Sequence, residues 1–237
     1  MTAAEPKYSP PSEQDTHVAI LRRLLNAGLR ARCIYAIGAS NGSWASVARS
    51  VFPLAELHLF EPLAEYEDSY RRGLQWVCST PGVRASVHAV AVDREGGTSA
   101  LRMPHDPVGS SLLPPDRSEY FPNAVEVPTV SLDEFSSDRG LMAPQLIKLD
   151  TQGSELRILQ GAARLLKSVD AIVVELWTWP AYGPTTPLFS QVSQWLLLQG
   201  FLIADFGRQF LDEEGRLIAV DVVFTRSWLR PKSVPSW

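Results

Sequence analysis

The stretch Cys33-Ile34-Tyr35-Ala36-Ile37-Gly38-Ala39-Ser40-Asn41-Gly42-Ser43 constrains the fold more than any other part of the chain. An apolar run enters a turn with two glycines four apart, and a helical pattern follows from Ser43 to Val51. Strand, glycine turn and helix together present backbone N–H groups to a nucleotide-like ligand. Glycine permits φ > 0 and lets the main chain approach that ligand closely. About twenty residues on, Leu57-His58-Leu59-Phe60-Glu61-Pro62 reads as a second strand ending in an acid. A carboxylate there suits a pair of ribose hydroxyls. The plain alternative is an ordinary βαβ unit with a convenient turn. The glycine spacing is not G-x-G-x-x-G, which argues against a nicotinamide-dependent oxidoreductase.

The 237 residues suit one large α/β domain, with a loose arm over 1–12 and a single domain over 13–237. Hydrophobic residues at 45% supply a sizeable core. The net charge of −4 and the scattered Lys and Arg exclude nucleic acid as the expected partner. Cys33 and Cys78 show no C-x-x-C spacing, so free thiols in a reducing compartment are expected. Residues 1–14 carry no signal-peptide core, and no apolar run reaches membrane-spanning length. A cytoplasmic protein without membrane partners is the expectation.

Further along, Ser12 can cap a helix with Val18, Leu21, Leu24 and Leu25 on one stripe. Pro62 can open a helix over 63–76. Residues 83–92 read as a third strand, and 97–103 and 125–130 as two shorter ones. Pro128 assigns the last of these to an edge. Between the two short strands, residues 104–122 are rich in Pro, Ser and Asp, which predicts either a functional loop, read here as a lid, or a disordered segment. Ser131 can cap a short helix. Strand 146–150 precedes a helix with Leu156, Leu159, Ala162, Ala163 and Leu166 on one face. Strand 171–176 is almost wholly apolar, as when helices cover both faces. Helix 186–199, strand 201–206 and a hairpin turning at 212–215 complete the pattern. The alternation describes a doubly wound sheet with ligands at the strand tips.

The ordered segments "IGASNG", "HLFEP", "VHAVAVDREGG", "VEVPTVSLDEF", "LIKLDTQGSELRILQGA" and "IVVEL" resemble the FkbM-type S-adenosylmethionine-dependent methyltransferases over about Cys33 to Phe224. The resemblance implies a class I methyltransferase fold, Rossmann-like, with strand order 3-2-1-4-5-7-6, the last strand antiparallel and helices on both faces. It implies S-adenosylmethionine as cofactor and O-methylation of a sugar or polyketide-type hydroxyl, since known members act on macrolides and bacterial glycans. The acceptor is thus a small molecule or glycan. At Ala36 the family usually carries an acid, and Gly38-Ala39-Ser40 stands where Gly-Ala-Asn is usual. Asn41 is a candidate to replace the lost hydrogen bond.

The expected cofactor contacts are Gly38, Ala39, Ser40, Asn41 and Gly42 of the turn, Glu61 and Pro62, Val90 and Ala91 beside the adenine, and Asp150. Asp150, at the tip of the central strand, is the first candidate for the base that accepts the hydroxyl proton. Its structural alternative is a helix cap. Glu175 on the neighbouring tip could bind substrate, serve as the base, or pair with Lys148, the third candidate catalytic residue. Glu155 reads as a first-turn dipole residue. Asp150 and Glu175 could share one Mg²⁺, with His105-Asp106 of the long loop as a candidate third ligand, but such a pair in a Pro-rich loop is usually solvated, so metal independence is expected. Trp177, Trp179 and Tyr182 read as an aromatic wall for the acceptor, or as core. Ser110 and Ser111 would face the same pocket from the lid. The competing class is an auxiliary cofactor-binding protein without catalysis.

Overall fold

In the computed structural model, residues 16–114 and 118–229 are described. The arm over 1–12 and the Ser12 cap lie outside them. β1 (Cys33–Ile37) lies at the centre and alternates its side chains between two apolar layers. Ile34 and Ala36 pack with α1 (Thr16–Ala27), α2 (Ser43–Val51) and α3 (Asp68–Ser79). Cys33, Tyr35 and Ile37 pack with α4 (Leu132–Asp138), α5 (Glu155–Gln160) and α6 (Phe189–Leu198). A strand with no solvent face must be apolar on both sides, which is why CIYAI reads as it does.

The remaining strands of this sheet are β2 (Glu56–Phe60), β3 (Arg84–His88), β7 (Leu146–Leu149), β8 (Ala171–Trp177), β9 (Phe201–Leu211) and β10 (Leu217–Arg226). The order is β3-β2-β1-β7-β8-β10-β9. All pairs are parallel except those of β10, which runs antiparallel between β8 and β9. This is the class I methyltransferase topology expected from the sequence. A second sheet has order β4-β6-β5, from β4 (Ala91–Val92), β5 (Gly97–Met103) and β6 (Asn123–Val130). Among the described residues no helix is long and apolar enough to cross a membrane.

Four local readings are corrected. The single strand over 83–92 is two, because the chain turns after His88, whose carbonyl accepts from both Glu61 N and Val90 N. The helix after Pro62 starts later: residues 62–66 form turns, and the Glu67 carboxylate caps α3 by accepting from Ser69 N. Pro128 is in the middle strand of its sheet, yet β4 pairs only with Thr129 and Val130, so Pro128 has a neighbour on one side alone. The stripe after Gly153 breaks beyond α5, leaving Ala163 exposed while Leu165 is buried.

Candidate active site

The β1–α2 turn is held at both ends by backbone bonds. Gly38 N and Ala39 N donate to Phe60 O, and Asp150 N donates to Ile37 O. Gly38 has φ 74°, and a Cβ there would lie 1.9 Å from the Asp150 carbonyl oxygen. Only glycine fits between the two strand tips. Ser40 follows with φ 48°, an uncommon conformation for a residue with a side chain. Its N–H donates to Glu61 Oε2 at 2.8 Å, while Leu63 N donates to Glu61 Oε1 at 2.9 Å. Burial pushes the Glu61 carboxyl up to about 7, against the pull of those donors.

These tips open onto a cavity lined by Gly38, Ser40, Glu61, Pro62, Val90, Ala91 and Asp150, all expected as cofactor contacts. Ser110 of the predicted lid lines it too. Three expected contacts do not. Ala39 is packed in the core, Gly42 faces Val77 and Leu74 of α3, and Asn41 is exposed and accepts from Ser43 N at 3.1 Å. The Asn41 side chain is thus engaged with the first residue of α2, whose N-cap is Gly42. Ala36 itself is paired in register with Lys148.

Sequence reasoning missed Tyr70, Thr151, Gln152 and Ser154, which also form the cavity wall. Ser154 Oγ is buried without a hydrogen-bond partner among the described residues. Tyr70 could have been found only by knowing that α3 closes on the turn. There Gly73 lies so near that a Cβ would sit 2.2 Å from Asn41 O.

Beyond β7 the polar groups form one network. Lys148 Nζ lies 3.2 Å from Asp221 Oδ1 and 3.4 Å from Asp150 Oδ2. Its cross-strand partner is therefore Asp221 and not Glu175. Burial alone would lower the Lys148 ammonium, but Asp150, Asp221 and Glu175 hold it above its ordinary value. Burial works to raise Asp221 as well, yet His17, 3.1 Å away, and Lys148 hold its carboxyl down at about 2. Asp150 is half-buried, with Oδ1 accepting from Gln152 Nε2 at 2.8 Å. Glu175 Oε1 accepts from the same nitrogen at 3.3 Å. Burial and the neighbouring Asp150 charge push Glu175 up to about 8.

Glu155 lies in the first turn of α5, as its reading as a dipole residue requires. It is fully buried and accepts from Thr151 N at 2.9 Å and Gly153 N at 3.0 Å, fixing the loop after Asp150.

The aromatic wall divides. Trp177 and Tyr182 are buried edge to face at 5.1 Å in a small cluster with Leu113 and Ala219. Trp179 is 67% exposed and joins neither. The Tyr182 hydroxyl donates to Gln152 Oε1 at 2.5 Å. Ser111 is also corrected: it is buried, and its Oγ donates to Gln152 O at 2.7 Å instead of facing the cavity.

A family model described as the methyltransferase FkbM domain matches residues 36–203. No curated protein matches the sequence. Among solved structures, a Klebsiella pneumoniae protein provisionally named an O-methyltransferase is similar at 15% identity and a TM-score of 0.51, covering 94% of this chain and 84% of that one. Precorrin-6y C5,15-methyltransferase from Geobacter metallireducens GS-15 is similar at 13% identity and a TM-score of 0.50, covering 93% of each chain. At these identities the likeness shows the shared fold.

Proposed function

The chain belongs to the FkbM methyltransferases, a family dependent on S-adenosylmethionine, and from that premise we propose that it methylates a hydroxyl of a sugar or polyketide-type small molecule. The observation that carries this reading is Asp150, a half-buried carboxylate in the wall of the cavity that the glycine turn and Glu61 also line. A hydroxyl nucleophile must lose its proton as it attacks, and a placed carboxylate accepts it.

The cavity fits the cofactor on its own terms. Gly38 lets backbone approach backbone, and the buried Ser154 hydroxyl lacks a partner that a polar ligand would supply. Glu61 would hold the ribose hydroxyls, Val90 and Ala91 would flank the adenine, and Gly38 and Ser40 would lie beside the amino-acid end. Bound S-adenosylmethionine supplies a methyl group on a positively charged sulfur. The protein's part is then to align the acceptor oxygen, which can contribute on the order of 7–11 kcal/mol. Asp150 accepts the proton, with Lys148 holding one of its oxygens and Gln152 the other. A lysine cation and an amide donor already serve the acid pair, so we read the transfer as metal-independent. Pro107, Val108 and Leu112 of the predicted lid give the cavity an apolar wall suited to a ring face.

The test is transfer of a labelled methyl from S-adenosylmethionine to a panel of glycosides, macrolides, amines and carboxylates, with the methylated atom located by NMR. An O-methyl ether on a sugar or polyketide is the expected product. Asp150→Asn should lower kcat roughly 10²-fold while leaving S-adenosylhomocysteine affinity near that of the parent. Methylation on nitrogen or carbon overturns the hydroxyl assignment. Cofactor binding without any transfer favours the auxiliary reading.

A further inference from the structure

The two acids at the strand tips are joined through a single side chain. Gln152 Nε2 donates to Asp150 Oδ1 at 2.8 Å and to Glu175 Oε1 at 3.3 Å, so one amide nitrogen bridges two strands. Its other end, Oε1, accepts the Tyr182 hydroxyl at 2.5 Å. A primary amide can present either end to its neighbours. Two carboxylate oxygens require the NH₂ end, and a hydroxyl placed to donate to Oε1 selects it.

The backbone is strained to achieve this. Gln152 has φ 56°, a left-handed conformation that is unfavourable for a residue with a Cβ. The fold holds it there from three sides. Ser111 Oγ donates to Gln152 O at 2.7 Å, and the buried Glu155 carboxylate accepts the N–H groups of Thr151 and Gly153 on either side. Tyr182 in turn is fixed edge to face on Trp177. Strain so fully supported, at the wall of a cavity, points to a role beyond turning the chain.

We propose that Gln152 is a positioning residue that bridges Asp150 to Glu175, and that Tyr182 fixes the orientation of its amide. The proposal rests on reading Asp150 as the proton acceptor. Asp150 is gripped from two directions, by Gln152 on Oδ1 and by Lys148 on Oδ2. The other charged or titratable groups around the pair are Asp221 of β10 with His17 of α1 behind it, Glu155 of α5, and Tyr182 itself. An N–H donor favours the ionised form of a carboxyl. Removing or reversing the amide therefore raises the pH at which Glu175 titrates.

The experiment is a carboxyl ¹³C NMR titration of the full-length protein without ligand. Tyr182→Phe, which frees the amide to turn, should move the Glu175 midpoint up by about half a unit or more. Gln152→Asn, an amide one methylene too short to bridge, should do the same, while Tyr66→Phe at an exposed site should change nothing. The wild type supplies a reading that needs no variant: the Gln152 side-chain NH₂ signals should shift with the Glu175 midpoint. NH₂ signals that stay constant through that titration overturn the proposal, as does an unchanged midpoint in folded Tyr182→Phe and Gln152→Asn. Calorimetric titration of the same samples with S-adenosylmethionine separates the two claims. A protein that ignores the cofactor sinks the methyltransferase reading of the cavity, whereas one that binds it with an indifferent NH₂ group sinks only the bridge.

Discussion

Single residues at this site do two jobs, and Glu61 is the clearest case. Its carboxylate ties Ser40 and Leu63 together through their N–H groups, and it lines the cavity. The loss of paired hydroxyl contacts in Glu61→Ala should weaken S-adenosylmethionine binding by about 1–3 kcal/mol, measured calorimetrically. Affinity equal to that of the parent would remove Glu61 from the cofactor site. Glu61 was legible in the sequence because a lone acid after an apolar strand has few other uses. Gln152 was not, since glutamine in a T-Q-G turn carries no spacing signal and its partner Tyr182 lies 30 residues away. Lys148 was half legible. Its burial demanded a carboxylate, but the register that brings Asp221 beside Glu175 depends on where the final hairpin inserts. The aromatic residues are harder to read, because Trp177, Trp179 and Tyr182 are close in sequence yet divide between core and solvent.

Elements were easier to read than sites where periodicity was strong. β1, α2, β2, β7, β8 and the closing hairpin follow from apolar runs and turn residues alone. The second sheet did not follow, because β4 has only two residues and its pairing is set by the chain turning at His88. The junction of α3 with the β1–α2 turn was invisible for another reason. It relies on the missing side chain of Gly73, which has no left-handed conformation to betray it. Gly73→Ala should force α3 off Asn41 and cost about 1–3 kcal/mol, with cofactor affinity falling alongside. A melting temperature like that of the wild type would mean that the turn gives way without penalty. The segment 104–122 belongs at this scale too. Its described part is fastened at Ser111, both to Gln152 and by a bridge to Arg102, and Ser110 and Leu112 reach the cavity. Proteolysis within it should slow when S-adenosylhomocysteine and an acceptor are both bound. Equal cleavage in all samples would make it a fixed wall.

At the scale of the whole molecule, the buried acids couple stability to pH. Glu61 and Glu175 titrate near 7 and 8 in the fold, above the ordinary 4.5. A raised carboxyl favours the fold while protonated. That contribution is complete below about 4.5 and is lost as the pH climbs through 7 and 8. His58 and His88 are lowered by burial, so they act in the opposite sense, but their effect is complete once the unfolded histidines have titrated near 6.5. The melting temperature of the ligand-free protein should therefore fall by several degrees between pH 6.5 and 8.5. Glu175→Gln should flatten the upper part of that fall in scanning calorimetry. A level profile in the wild type would show that neither acid is desolvated.

The Lys148–Asp221 pair spans 73 residues and the His17–Asp221 contact 204, so a strand near one end of the fold neutralises a charge at its centre and meets the first helix. During synthesis, Lys148 leaves the ribosome well before Asp221 exists to receive it. Until β10 slides between β8 and β9, the nascent chain holds every piece of the glycine turn and the cavity floor but carries an ammonium group it cannot bury. A chain that stops short of the last hairpin can begin the sheet but leaves Lys148 without the Asp221 carboxylate that faces it in the finished fold.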